Sequence, residues 1–255
     1  HAKFIIDEIE IEGIQMDKMF LAQGDMVGVS FWLVSIAMIA STVFFLYEGL
    51  RVKEQWRLSL LVAALVTLVA GVHYDYMRDF WVIKQATPID YRYIDWLITV
   101  PLLMIEFWLI LKAVGAQVGS GSFLRLLVGT LVMLIGGYAG ETGMVDVTMG
   151  FVIGIIGWAV IIYEIFAGEA GKEAGSASES VQGAFSAMRL IVLVGWIIYP
   201  LGYLFSPEVA LIEVDSGAEY MAVAYNVADI INKIGFGVVA WMGAKKATEA
   251  LAASE

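Results

Sequence analysis

Cysteine is absent from the 255 residues, which excludes disulfides and thiolate metal sites. Histidine occurs only at positions 1 and 73, too sparsely for a histidine-based metal centre. Charge is scarce as well: 16% of residues carry it, against about a quarter in a soluble domain. The balance is acidic, at −11. A nucleic-acid binder must neutralise phosphates with Lys and Arg, so that class of partner is excluded. Residues 1–25 are acidic and mixed and do not read as a signal peptide. The chain opens on His1 rather than Met, which reads as a processed or engineered start.

What fills the space left by charge is apolar. Hydrophobic residues make up 60% of the chain, and the mean hydropathy is +0.80. A helix needs about 20 mostly apolar residues to cross a bilayer. Seven such runs are present, at 26–50, 57–80, 91–114, 122–140, 147–168, 183–206 and 220–245. The expected fold is therefore all-α, a seven-transmembrane-helix bundle spanning 26–245. Residues 1–25 form an extracellular segment and 246–255 a cytoplasmic tail. GEAGKEAGSASE (169–180) reads as a polar linker and 206–219 as a solvated acidic loop with Glu208, Glu213, Asp215 and Glu219. Arg51, Lys53, Arg57, Lys112, Arg125, Lys172, Lys245 and Lys246 lie in connections on one side, whereas the other side holds little beyond Lys84. The positive-inside rule then puts the N-terminus outside and the C-terminus inside.

Ionisable groups within such runs cost about 2.5–3.5 kcal/mol each at a helix centre, so they mark function more often than decoration. The second run holds His73 and Asp75, and the third holds Arg92, Asp95 and Glu106. The last holds Asp229 and Lys233, with Asn226 and Asn232 beside them. Asp229 and Lys233 are four apart and share a helix face. They form a buried ion pair on one reading. On the other, Lys233 is a desolvated amine able to form a Schiff base with an aldehyde. Arg92, Asp95, Thr99 and Glu106 fall within about one third of the third helix's circumference. Asp95 and Glu106 are separated by about 16 Å along the axis. Two proton-capable groups so placed suit a relay, and equally a helix packed on polar partners, with Pro101 as a kink. Trp96, Trp196, Tyr199 and Tyr225 sit at span depth, away from interfacial belts, where they serve either packing or the walls of a conjugated-ligand site.

RYIDWLITVPLLMIEF (92–107) and YNVADIINKIGFG (225–237) are the most specific stretches. WIIYPLGY (196–203), HYDYMR (73–78), VSFWLV (29–34) and STVFF (41–45) accompany them. Together they resemble the microbial (type 1) rhodopsins, the proteorhodopsin group in particular, across all seven helices. The resemblance implies a light-driven outward proton pump, not an enzyme, in a bacterial inner (plasma) membrane. It implies all-trans-retinal bound to Lys233 as a protonated Schiff base. Asp95 then corresponds to the counterion and proton acceptor, Asp229 to the second carboxylate, and Arg92 to the arginine that sets their field. Thr99 and Glu106 complete an Asp–Thr–Glu triad, with Glu106 as internal donor, and His73 corresponds to a histidine that interacts with the acceptor. Trp96, Trp196, Tyr199 and Pro200 correspond to the retinal pocket, joined by Thr99, Leu103 and Tyr225, with Gly154 and Trp158 facing the ring.

Within the family, the two carboxyls disfavour chloride and sodium pumps. Leu103 stands where Leu accompanies green absorption and Gln blue, and Phe151 stands where antenna-binding relatives carry Gly, which argues against a carotenoid antenna. The resemblance also implies a homo-oligomer, pentamer or hexamer, with Trp32 and His73 at the interface. Asp75 departs from the family's usual apolar residue and has no assigned role. A sensory photoreceptor signalling through a partner protein is the alternative from another class, and a retinal-free transporter a third. Glu106 and the short tail favour the pump.

Overall fold

The computed structural model describes residues 20–206, 209, 211–212 and 217–254. Most of the expected N-terminal segment 1–25, and Glu208, Glu213 and Asp215 of the acidic loop, lie outside the described residues. Among the described residues, seven helices are long and apolar enough to cross a membrane. They are α1 (Met26–Gly49), α2 (Glu54–Lys84), α3 (Ile89–Ala113), α4 (Ser120–Glu141), α5 (Val147–Phe166), α7 (Glu179–Leu204) and α8 (Gly217–Ala253). The short α6 (Glu169–Ser176) lies between α5 and α7. The chain is a multi-pass membrane protein.

Consecutive helices pack side by side, and α8 closes the ring against α1, α2 and α7. Each helix satisfies its own backbone, which is what hydrocarbon requires. Their outer faces are apolar and exposed, as with Leu33, Ile36, Val43 and Leu46 on α1, while polar side chains such as Thr42 and Thr67 bond each other inside, 2.9 Å apart. We refer to the end where α1 begins as the start face and to the opposite end as the far face.

Local chemistry sets the element ends. Asp25 accepts from Gly28 N (2.8 Å) to cap α1, and Asp146 accepts from Met149 N (3.0 Å) to cap α5. Two irregular turns face each other inside the ring. In α7, Gly195–Ile197 tightens into a 3₁₀ turn just ahead of Pro200, which has no N–H to give the Trp196 carbonyl. In α8, Ile230–Gly235 widens into a π turn that contains Lys233. Such turns recur at functional sites. Gly195 lets the two helices meet, because a Cβ there would run into the Asn232 side chain. Asn232 instead donates to the Gly195 carbonyl at 3.1 Å.

The polar linker 169–180 takes helical form over its first eight residues, as α6. Ala170 and Ala174, one turn apart, are buried against the bundle, so a polar composition still supplies an apolar stripe. Glu164 and Glu169 anchor this corner: both accept from Arg125, Glu164 also from Ser122 (2.6 Å) and Ala170 N (3.0 Å). The expected tail 246–255 is likewise helical through Ser254, as a continuation of α8.

Candidate functional site

Two helices, α3 and α8, bring the buried charges together. The Lys233 amine, on the π turn of α8, donates to Asp95 of α3 and to Asp229 Oδ2 of α8, the latter at 2.9 Å. All three side chains are buried. Removing one charge from water without partners is prohibitive, so the trio stands only because the cation is paired with two carboxylates. Asp229 has further donors: Tyr74 OH of α2 at 2.8 Å and Tyr199 OH of α7 at 2.5 Å. Asp95 Oδ1 has no hydrogen-bond partner among the described residues.

Arg92 lies toward the start face, also buried. Its guanidinium donates to Asn226 Oδ1 (2.9 Å) and approaches Tyr74 OH (3.4 Å), so Tyr74 links arginine and Asp229. Phe31 and Tyr225 flank the cation with ring centroids at 5.3 and 5.1 Å. Asn226 continues the network to Ser30 of α1 at 2.8 Å.

The lysine also borders a cavity of about 800 Å³, mouth included, set among α3, α4, α5, α7 and α8. Its walls include Trp96, Leu103, Gly154, Trp158, Trp196, Tyr199, Pro200 and Tyr225, together with Phe151. Trp96 stands edge-on to Tyr199 and Tyr225, with centroids 5.2 and 5.5 Å away. The Trp158 indole is fixed by donating to the Val192 carbonyl at 3.2 Å, and Tyr225 by donating to the Tyr199 carbonyl at 3.1 Å. An apolar aromatic slot with one amine and two carboxylates at its end fits a long apolar aldehyde better than a polar metabolite.

Glu106 stands apart, three turns along α3 toward the far face. It is buried, and neither carboxyl oxygen has a hydrogen-bond partner by geometry among the described residues. Ser59 of α2 is the polar side chain facing it. The carboxyl therefore sits in an environment that offers its charge no cation.

With this arrangement in place, the comparisons are specific. The family model described as "Bacteriorhodopsin-like protein" matches residues 25–247. The chain belongs to the bacteriorhodopsin-like family. It is 46% identical over 227 residues to the green-light absorbing proteorhodopsin of Gamma-proteobacterium EBAC31A08, covering 89% of each chain. It is equally, 46%, identical over 224 residues to the blue-light absorbing proteorhodopsin of Gamma-proteobacterium Hot 75m4, covering 87% of each. Among solved structures, the blue light-absorbing proteorhodopsin from Med12 superposes with a TM-score of 0.73 at 45% identity, covering 87% of this chain and 98% of that one. Xanthorhodopsin, a light-driven ion pump with dual chromophore, superposes with a TM-score of 0.77 at 26% identity, covering 91% of this chain and 98% of that one.

In this bacteriorhodopsin-like chain the structure separates some residues that the sequence had grouped. Thr99 is buried, but its hydroxyl donates to the Asp95 carbonyl at 2.9 Å and is not among the cavity walls. His73 is half-buried on α2, where its Nδ1 donates to the Val69 carbonyl at 2.9 Å; no hydrogen bond to Asp95 occurs among the described residues. Asp75 pairs with Arg78 at 3.3 Å on an exposed flank and stands outside the buried network. Tyr74 was missed although it lies in the HYDYMR stretch. A tyrosine at span depth needs an acceptor for its hydroxyl, and that was the available signal. Asn232, which bonds Tyr199 OH at 3.1 Å, was noted only as a neighbour.

Proposed function

We propose that this chain is a light-driven outward proton pump whose chromophore, all-trans-retinal, is carried on Lys233 as a protonated Schiff base. The observation that carries this reading is the Lys233 amine held between Asp95 and Asp229 at the end of an aromatic cavity. The bound group supplies absorption of visible light and a light-driven fall in the proton affinity of the Lys233 nitrogen. The chain's own residues supply direction.

Asp95 receives the proton, because one of its oxygens already faces the nitrogen and the other has no partner among the described residues. Asp229 keeps its negative charge, held by two tyrosyl hydroxyls as well as by the lysine. Arg92, close to Tyr74 and Asn226, responds to the changed charge and repels protons returning from the start face. Glu106 donates to the Lys233 nitrogen from the other side. The roughly 16 Å between Asp95 and Glu106 keeps acceptor and donor from exchanging directly. Trp96, Leu103, Gly154, Trp158, Trp196, Tyr199, Pro200 and Tyr225 hold the chromophore and exclude water. Leu103 favours green absorption.

Lys and Arg asymmetry supports a start face outside and a far face inside, in a bacterial inner membrane. The domain assignment follows, with 26–245 as the retinal-binding bundle. The half-exposed Trp32, stacked under Arg78 at 4.5 Å, supports a homo-oligomeric contact near Trp32 and His73.

The test is expression with retinal in cells, followed by illumination. A visible absorption band and a light-induced acidification abolished by protonophore are expected. Colour without acidification would overturn the pump in favour of a sensory photoreceptor, and no colour, or colour kept in Lys233→Ala, would overturn the chromophore assignment.

A further inference from the structure

Arg189 is the only Lys or Arg in α7. It lies about 15 Å along the helix from Glu179, well inside the span. A cation at that depth is costly unless something answers its charge. Arg51, Arg78 and Arg125 each pair with a carboxylate. Arg189 does not: among the described residues it forms no hydrogen bond and no ion pair. Its guanidinium lies over the ring of Phe166, 4.8 Å from the centroid. That contact attracts the charge but leaves the N–H donors of the fork without acceptors. Glu164, two residues before Phe166, is already engaged elsewhere, by Arg125, Ser122 and Ala170 N.

The surroundings are those of a membrane interface. Phe166 is the last residue of α5, so the cation sits where that span ends at the far face. Arg189 is half-buried, with room for its stem to lie along apolar surface while the head reaches outward. Tyr163, one turn before Phe166, is 60% exposed, and its hydroxyl bonds no described residue. An amphipathic ring so placed suits the headgroup level. Toward mid-membrane, Leu193 and Ile197 follow Arg189 at one and two turns on the same side of α7. Ile162 precedes Phe166 by one turn on α5. Leu193 and Ile162 are half-buried and Ile197 is exposed. α5 packs closely on α4 and far less on α7, so this seam is the looser of its two.

We propose that Arg189 binds the headgroup phosphate of an anionic phospholipid at the far-face end of the seam between α5 and α7. The guanidinium fork donates two parallel hydrogen bonds to phosphate oxygens, a geometry that an ammonium cannot reproduce. Phe166 fixes the plane of the fork, and Tyr163 offers a further hydroxyl. One acyl chain then follows Leu193 and Ile197. A zwitterionic headgroup also carries a phosphate, but it brings its own cation beside Arg189, so charge complementarity selects the anionic lipid.

The test uses the full, retinal-loaded chain in nanodiscs of equal parts phosphatidylglycerol and phosphatidylcholine. Native mass spectrometry of the protein released from the discs counts the lipids it keeps. The native chain is expected to retain phosphatidylglycerol several-fold over phosphatidylcholine. Arg189→Gln should keep one phosphatidylglycerol fewer, and Arg189→Lys, which preserves the charge and loses the fork, should hold it more weakly than native. Lys112→Gln is the control, since Lys112 is also a cation over a ring, 5.3 Å from the Trp108 centroid, but on α3. It should retain lipid as the native chain does. Equal retention of the two lipids by the native chain overturns the proposal without any variant. An unchanged count in Arg189→Gln, or the same loss in Lys112→Gln, overturns the site. Native retention in Arg189→Lys overturns the bidentate hold. Displacement of the lipid by millimolar inorganic phosphate would make a free anion the ligand instead.

Discussion

Asp95 and Asp229 accept from the same Lys233 amine, yet only Asp229 is held by other side chains. Tyr74 and Tyr199 both donate to it, at 2.8 and 2.5 Å, whereas Asp95 Oδ1 has no partner among the described residues. The pair is therefore asymmetric before any light is absorbed: one carboxylate is anchored and the other is free to take a proton.

Asp95→Asn removes the free member. The protonated nitrogen loses one of two anions, so the visible band of the retinal-loaded protein is expected to move to the red and transport to vanish. A pH electrode in an illuminated cell suspension reads the second effect. Transport at the native level would remove Asp95 as acceptor.

Tyr199→Phe weakens the anchored member by one hydrogen bond to a charged group, a contribution of about 1.5–3 kcal/mol. Asp229 should then compete for the proton. In light-minus-dark infrared spectra, a second carboxylic-acid band is expected beside that of Asp95, disappearing in the further variant with Asp229→Asn. A spectrum identical to native would show that the hydroxyl does not set the choice of acceptor.

Glu106→Gln takes away the internal donor and leaves the counterions untouched. Bleaching of the visible band should proceed at the native rate and recovery should become slow. Azide, a small weak acid able to carry protons into the apolar interior, should accelerate it. Native recovery without azide would assign the donor role to another group.

Gly157 and Gly154 should part company. A Cβ on Gly157 would run into the backbone of Met133 and Gly129, because α4 and α5 touch there without side chains between them. Gly157→Ala is expected to cost about 1–3 kcal/mol, read as a lower temperature of thermal bleaching. At Gly154 a Cβ meets nothing closer than the Met133 carbonyl at 3.5 Å. Gly154→Ala should therefore keep native stability while altering the colour, since that position borders the cavity.

The sequence made the third helix legible because its signal is internal to one helix. Arg92, Asp95, Thr99 and Glu106 share a face whatever their neighbours are, and periodicity alone reveals that. Asp229 and Lys233 were legible as a pair for the same reason. The tyrosines holding Asp229 were not, because Tyr74 and Tyr199 arrive from two other helices, and no spacing along one chain segment reports which faces meet. The aromatic slot is collective in the same way, drawing on five helices. His73 is an intermediate case: its Nδ1 bonds the backbone one turn earlier in its own helix, while its ring remains near enough for a charge on it to act on Asp95. The helical form of residues 169–176 was not legible from composition, since two alanines are enough to bury one side of a helix that is otherwise polar.

The π turn at Ile230–Gly235 stores one residue more than a regular α-helix would fit in that rise. Register in α8 is therefore adjustable at this one place. If the turn rewound to α spacing, the residues within it would rotate about the helix axis relative to Asp229, carrying the Lys233 nitrogen with them. The lysine is thus mounted on a swivel, and its separation from the two carboxylates can change without any tilting of the seven helices.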